Sequence, residues 1–443
     1  MSTIVKKIAL INPSTFTDSE KHIYEMYRRN IGNYKPYLSP PLNLLTIASH
    51  TPTDIEIKVL DENIEAIDFN AEYDLVGITA MTQQAFRAYN IAFEFRKRNI
   101  PVVMGGIHAS VMPEEALQHV DSIFIGESEE QWKIYIDDLK TGAVKRIYQS
   151  DTLFDLEKSE IPKYELINYD VFKLKDSFIR LIPVQATRGC PHDCSFCIVP
   201  DFYGRCIRKK NISQVVKEIE FVKKLNYDSL FLFVDDNLFV DRKYIKALMK
   251  ELIPLKISYI AQTDIKVAND DELLELAYKS GCILMLIGFE SIDSINLSEI
   301  NVNKWKMRQL DSYTSSINKI QEKGIIVFGS FIVGFEHDDA STFEKIKDFV
   351  ISNNISAHFT MLTALPGSRL YKQFITENRF IKDVFWNDLS FYNLNFNHKH
   401  INKEMAEKGI VWLYDEVYND ENAMKRYRHM MQLFKKLPGR WIS

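Results

Sequence analysis

Three of the chain's five cysteines fall within eight residues, at Cys190, Cys194 and Cys197 of ATRGCPHDCSFC. Thiolates are soft ligands, so this CxxxCxxC spacing suits zinc or an iron–sulfur cluster. The stretch follows the apolar run FIRLIPVQ and contains Pro191 and Asp193, which place it in a loop. A loop can fold three thiolates toward one point, whereas a strand sends alternate side chains to opposite faces. A structural zinc site ordinarily takes four protein ligands, and His192 and Cys206 are the candidates for a fourth. Three cysteines alone would leave one iron of a [4Fe-4S] cluster open to a small molecule, which is what chemistry needs. A closed zinc site and a chance group of free thiols stand beside that reading.

Other polar residues gather at the ends of apolar runs downstream. YDSLFLFVDDNLFVD ends with Asp235, Asp236, Asn237 and Asp241, and LKISYIAQTDIKV carries Gln262 and Asp264. CILMLIGFES ends in Glu290 and Ser291, GIIVFGSFIVGFEHDD holds Gly329 and Gly334, and HFTMLTALPGSRLY ends in Pro366-Gly367. Between them NISQVVKEIEFVKKL, DELLELAYKSG and SSINKIQEKG have helical periodicity. Strands alternating with helices, with polar residues after each strand, predict the active rim of a (β/α) barrel. Buried carboxylates need an ammonium or several donors to stay charged. A helix cap or a surface salt link is the alternative reading for lone acids such as Asp241 and Glu290.

Residues 1 to about 150 predict a separate parallel α/β sheet. Its strands are KKIALINP, IEIKVLD, YDLVGITAM, IPVVMGG and VDSIFIGE, with TQQAFRAYNIAFEFRKRN as a helix. Ligands of such sheets sit beyond the carboxyl ends of the strands, here Asn12-Pro13, Asp61, Thr79-Ala80, Gly105-Gly106 and Gly126-Glu127. Paired glycines let backbone approach a flat ligand, and they also serve plain turns. No GxGxxG follows the first strand, so a dinucleotide fits poorly. PYLSPPLNLLTIAS, from Pro36, brings an apolar helix near Leu42 to the same face or into the core.

The cysteine motif resembles the radical S-adenosylmethionine (SAM) superfamily. That resemblance implies a [4Fe-4S] cluster on Cys190, Cys194 and Cys197, with SAM on the open iron cleaved to a 5'-deoxyadenosyl radical. It implies six barrel strands rather than eight. It places Phe196 over the adenine, Asp235 and Asp236 at the SAM amino group, and Glu290 and Ser291 near ribose and carboxylate. It puts Gly329 to Gly334 near the adenine and Gln262 at cofactor or substrate. The first unit is similar to the cobalamin-binding domains of cobalamin-dependent radical SAM enzymes, through PPLNLL, LVGITAMT, VVMGGIHAS and FIGESEE. Thr79, Gly105, Gly106, Gly126 and Glu127 would then face the corrin, with His108 a possible contact. In many such domains an Asp-x-His-x-x-Gly motif gives cobalt a histidine; here DENIEA puts Asn63 and Ala66 at the His and Gly positions.

The expected architecture is an N-terminal Rossmann-like, B12-binding-like α/β domain (1–150), a linker (151–178), a partial (β/α)6 radical SAM barrel (179–371) and a small, mainly helical C-terminal domain (372–443). The last part resembles the extension of a subgroup that includes hopanoid C-2 methylases. Phe385, Trp386, Phe391, Tyr392 and Phe396 are candidates for an apolar substrate cavity or a small core. KRYRHMMQLFKKLPGRW is basic and amphipathic, which suggests peripheral contact with an anionic lipid surface. A net charge of -5 argues against a nucleic-acid partner, and no apolar run reaches the roughly 18 residues of a membrane span. Sparse, uneven cysteines and no secretion signal suggest the cytoplasm. The function expected is methyl transfer to an unactivated carbon of an apolar small molecule or lipid. It would draw on cobalamin and an external one-electron donor. A radical cyclisation, rearrangement or dehydrogenation is the alternative, and a structural metal-binding protein the third.

Overall fold

The computed structural model describes residues 5–14, 39–172, 180–225, 229–381, 386 and 389–436. Pro36, Phe385 and the final LPGRWIS lie outside the described residues.

The first unit contains β1 (Lys7–Asn12), α1 (Leu42–Ser49), β2 (Glu56–Asp61), β3 (Leu75–Thr79), α2 (Ala85–Arg96) and β4 (Val102–Gly105). It continues with α3 (Ile107–Val111), α4 (Pro113–His119), β5 (Ser122–Ile125), α5 (Glu129–Thr141) and β6 (Ile147–Gln149). The six strands form one parallel sheet in the order β2-β1-β3-β4-β5-β6. β1 and β3 are apolar almost throughout because helices cover both faces. Ile8 and Leu10 pack with α1 and α5, while Ala9 and Ile11 pack with α2. The connection after β1 leads to β2 and the one after β3 leads the other way, to β4, so a crevice opens between the carboxyl ends of β1 and β3. The sixth strand adds to the five read from sequence. It is an edge of three residues with only Tyr148 buried, too short to show a pattern.

Residues 151–172 are irregular, with short 3-10 turns, but they are no loose tether. Tyr164 is fully buried, its hydroxyl 2.8 Å from the Pro183 carbonyl and 2.6 Å from Glu218 Oε1.

The second unit runs β7 (Arg180–Val184), α6 (Ile212–Lys224), β8 (Ser229–Phe233), α7 (Arg242–Leu252), β9 (Tyr259–Thr263) and α8 (Asp271–Ser280). Then come β10 (Cys282–Glu290), α9 (Tyr313–Glu322), β11 (Ile326–Val333), α10 (Ala340–Ser352) and β12 (Ser356–Met361). All six strands are parallel and in chain order, a half-barrel. β11 alternates half-buried and buried residues along its length, because one face meets helices and the other a lumen. The lumen face carries Leu232, Ile260, Gln262, Leu286, Ser330 and His358.

The open edge of β12 is covered from the C-terminus. After α11 (Arg369–Thr376) come α12 (Lys403–Val417) and α13 (Asp420–Phe434). The Tyr414 hydroxyl, on α12, lies 2.9 Å from the Phe359 amide and 3.0 Å from its carbonyl. Tyr418 just beyond does the same at Ala357, at 3.0 and 2.6 Å. These hydroxyls occupy backbone groups that an edge strand would otherwise expose. α12 also lies close against α10: a Cβ on Gly409 would overlap the Phe343 ring.

Candidate active site

The cysteine loop leaves β7 and is closed at its base by a two-residue antiparallel ribbon, Thr187–Arg188 with Arg208–Lys209. Gly189 has φ 94°, and a Cβ there would collide with the Cys206 carbonyl, so the turn into Cys190 requires glycine. Within the loop the Cys197 amide donates to the Cys194 carbonyl at 3.1 Å, and Ser195 N–H to the Ile300 carbonyl at 2.8 Å. All three thiols are half-buried. Burial, reinforced by Cys194 and Asp236, pushes Cys190 up to about 12; burial with Cys194 and Cys190 does the same to Cys197. Burial also raises Cys194. Among the described residues no three His, Cys, Asp or Glu side chains converge to hold a single metal ion. His192 is engaged elsewhere, 2.9 Å from Asp264 Oδ2 and stacked at 4.0 Å on Trp305, and Cys206 is exposed.

The two aspartates after β8 part company. Asp235 is fully buried and binds the stem of the cysteine loop. Its Oδ1 accepts from the Ala186 amide at 3.2 Å, from the Thr187 amide, and from the Thr187 hydroxyl at 2.7 Å. Burial still pushes it up to about 7. The resemblance places this carboxyl at the SAM amino group; in the structure its contacts go to the stem of the cysteine loop. Asp236 is half-buried and accepts from Gly189 N–H at 3.1 Å. Asp264, at the end of β9, is held down to about 2: burial opposes its charge, but hydrogen bonds from His192 and Asn237 outweigh it.

Glu290 ends β10 after a bulge, in the left-handed region at φ 65°, an uncommon place for a residue with a Cβ. Its Oε1 lies 3.0 Å from Lys306 Nζ, which also donates to the Gly288 carbonyl at 2.6 Å. Lys306 is buried, yet Glu290 and Cys194 outweigh that burial and keep it charged. Nothing in the sequence around Lys306 marked it, because its partners lie 16 residues and more away. Ser291 is buried and its hydroxyl accepts from Asp293 N–H at 3.0 Å, a local turn contact. Phe196 lies 5.9 Å from Phe335 between ring centres. Gly334, at φ 108°, turns the chain there under Leu394, and its amide donates to Asp338 Oδ2 at 2.8 Å. Gly329 faces the helix side, where a Cβ would meet Phe331, Ile355 and Phe289; it is a packing position away from the lumen. Gln262 faces the lumen, half-buried.

At the carboxyl ends of β1, β3 and β4 lies a cavity of about 480 Å³. Its floor is apolar, with Leu10, Leu44, Gly77, Val103, Phe124 and Trp132; its mouth carries Thr79, Gly105, Gly106 and Gly126. A Cβ on Gly106 would press on the Ala80 backbone, whereas one on Gly126 would meet only open space. Glycine walls over an apolar floor let a flat face approach the backbone closely, as the ring or the aromatic base of a corrinoid requires. Arg188, Phe202 and Tyr203 of the cysteine-loop region close the cavity from the barrel side. Asn63 is not among the lining residues and its amide donates to Asp61 Oδ1 at 2.6 Å. His108, expected to be a corrin contact or solvent-facing, is neither. It is wholly buried, with Nε2 2.6 Å from the Tyr89 hydroxyl.

Glu127 lines the cavity, but its oxygens turn to the barrel. Oε1 lies 2.8 Å from Arg188 Nη1, and Oε2 lies 2.8 Å from Arg208 Nη1 and 2.9 Å from the Phe154 amide. Glu129, not marked in the sequence, meets the same Arg188 Nη1 at 2.6 Å. A second junction joins three parts of the chain. Gly367, at φ 91°, sits where a Cβ would come within 2.7 Å of Val111 on α3 and 3.1 Å of Ile198 beside Cys197. The C-terminal aromatics divide among different surroundings. Trp386 donates to Glu115 Oε1 of the first unit at 2.7 Å, Tyr392 meets His358 at 3.2 Å, and Phe396 is core beside Phe374. Arg426, in the basic C-terminal stretch, is buried and donates to the Val417 carbonyl.

Residues 184–350 match the Radical SAM superfamily and residues 39–134 match the B12 binding domain. The chain is 30% identical over 395 residues to bacteriochlorophyllide d C-12(1)-methyltransferase of Chlorobaculum tepidum, covering 88% of this chain and 85% of that one. It is 25% identical over 405 residues to hopanoid C-2 methylase of Rhodopseudomonas palustris, covering 88% and 73%. Among solved structures, the radical SAM methyltransferase TsrM of Kitasatospora setae, with cobalamin and a [4Fe-4S] cluster bound, superposes with a TM-score of 0.64. That match has 14% identity and covers 97% of this chain and 91% of TsrM. The cobalamin-dependent radical enzyme OxsB with aqua-cobalamin gives a TM-score of 0.70 at 12% identity, covering 97% and 71%.

Proposed function

Because the chain belongs to the radical SAM family that carries a B12-binding domain, we propose that it is a methyltransferase acting on an unactivated carbon of a large apolar small molecule or lipid. One observation carries the reading: a single cavity is walled by the strand ends of the first unit and by residues flanking the cysteine loop. A methyl carrier and a radical source placed there would face each other across the domain interface.

When bound, the [4Fe-4S] cluster, SAM and cobalamin supply the one-electron chemistry and the methyl group. The chain's own residues do the holding. Cys190, Cys194 and Cys197 would ligate the cluster. Phe196 and Phe335 offer aromatic faces for a purine, and Lys306 with Glu290 sets fixed charges at the rim of the lumen for the amino-acid end of SAM. Thr79, Gly105, Gly106 and Gly126 would back the corrin. Asp235 holds the stem of the cysteine loop. The lumen, with Leu232, Ile260, Leu286 and Ile332, is suited to an apolar substrate, and Gln262 is a polar group there. The names of two relatives, a bacteriochlorophyllide methyltransferase and a hopanoid methylase, point to substrates of that kind. An external donor must bring the electron.

The products of SAM test the reading without a known substrate. Methyl donation leaves S-adenosylhomocysteine and radical generation leaves 5'-deoxyadenosine. Reconstituted protein with dithionite and hydroxocobalamin should form both, and Cys194→Ala should lose its cluster iron and the 5'-deoxyadenosine. If 5'-deoxyadenosine forms with no S-adenosylhomocysteine at all, methyl transfer is wrong and a radical rearrangement or ring closure takes its place.

A further inference from the structure

The contact between the cavity and the cysteine loop is ionic and buried. Arg188 sits between two carboxylates of the first unit, and Arg208 meets one of them from the other strand of the ribbon. Two carboxylates and two guanidiniums balance. Glu127 and Glu129 side chains are 3% and 5% exposed and that of Arg188 10%, so water screens these pairs little. Arg188 also donates through Nε to Gln185 Oε1 at 2.7 Å. Arg188 outweighs the burial of Glu129 and holds its carboxyl below the usual range.

Two features give this cluster a role beyond cohesion. Glu127, Glu129, Arg188 and Tyr203 all line the cavity, so a ligand there touches the ion cluster and removes its remaining water. Only Gly189 separates Arg188 from Cys190. The residues on either side are fixed by Asp235 and Asp236, leaving the stem little freedom to absorb a shift. We infer that Arg188, clamped by Glu127 and Glu129, couples the corrin cavity to the cysteine loop, so that cobalamin binding and cluster assembly favour each other. This rests on the cobalamin reading above. Arg188 is a positioning residue here, and the coupling is reciprocal by thermodynamic necessity.

The test is a hydroxocobalamin titration, followed anaerobically by absorbance, on the full chain with its cluster reconstituted and after the cluster is chelated away. Wild type should bind at least about fivefold more tightly with the cluster present, the lower end of ordinary coupling. Arg188→Gln should bring the two dissociation constants together, and Arg188→Lys should keep part of the difference. The reverse measurement needs no cluster-free protein: iron retained at equilibrium with a chelator should rise with hydroxocobalamin in wild type and not in Glu129→Gln. Equal wild-type affinities, or a difference that survives in Arg188→Gln, would overturn the coupling while leaving the cobalamin reading intact. No binding in either state would overturn both.

Discussion

Asp235 exemplifies a residue whose work is visible only in three dimensions. Oδ1 takes the Thr187 bonds, while Oδ2 shares only the Ala186 amide at 3.2 Å. Asp235→Asn should therefore keep the loop, and Asp235→Ala should strand two buried amides at a cost of about 3 kcal/mol with loss of cluster iron. The pH dependence has a definite sign. The folded carboxyl, near 7, lies above its unfolded value, so its contribution is full below about pH 4 and is lost as pH rises through 7. In Asp235→Asn that fall in melting temperature between pH 4 and 7 should flatten. His108 runs the other way. Burial pushes it down to about 4, against Glu115, which favours its charge. Its contribution is present above about pH 6.5 and lost as pH falls through 4. His108→Gln should lessen acid unfolding in that window, measured by melting temperature; an unchanged acid limb would contradict the assignment. At this scale the cysteines were legible because their spacing is local. Lys306, Glu129 and the true partners of Asp235 were not, since each is defined by residues far away in the chain.

Among the elements, the strands were readable because parallel strands buried on both faces are continuous apolar runs. The short edge β6 gave no such run. The aromatic C-terminal stretch could be read as a cavity wall or as a small core, because composition does not say which partner each ring meets. α12 lies along the edge of the half-barrel, and Gly409 is what lets it approach. In an isolated helix Gly409→Ala would gain about 1 kcal/mol of helix propensity. Here the methyl would overlap Phe343, so the substitution should destabilise, by about 1–3 kcal/mol. Tyr418→Phe should cost about 1 kcal/mol by freeing the Ala357 backbone groups at the edge. Denaturant unfolding measures both, and a Gly409→Ala protein more stable than wild type would show that the two helices can part freely.

For the molecule as a whole, the two α/β units and a helical tail could be anticipated, but their interface could not. It is written in single residues: Glu129 and Arg188 stand unremarked beside their own neighbours, and Glu127 reads from the sequence as facing the corrin and not as an ion-pair partner of the barrel. A chain lacking residues 1–150 would leave Arg188 and Arg208 without their carboxylates. It should purify with far less iron per chain than the full protein, and full iron occupancy would show that the barrel holds its cluster loop unaided.

The junction at Gly367 bears on how such proteins can be recombined. Val111, Ile198 and Gly367 come from three separate parts of the chain yet share one contact. A chimaera that imports the first unit of a relative brings a new residue 111 against an old 198 and 367. Inheritance across this family should therefore favour transfer of the whole three-part body, and a functional graft should need its seam repaired at those three positions together.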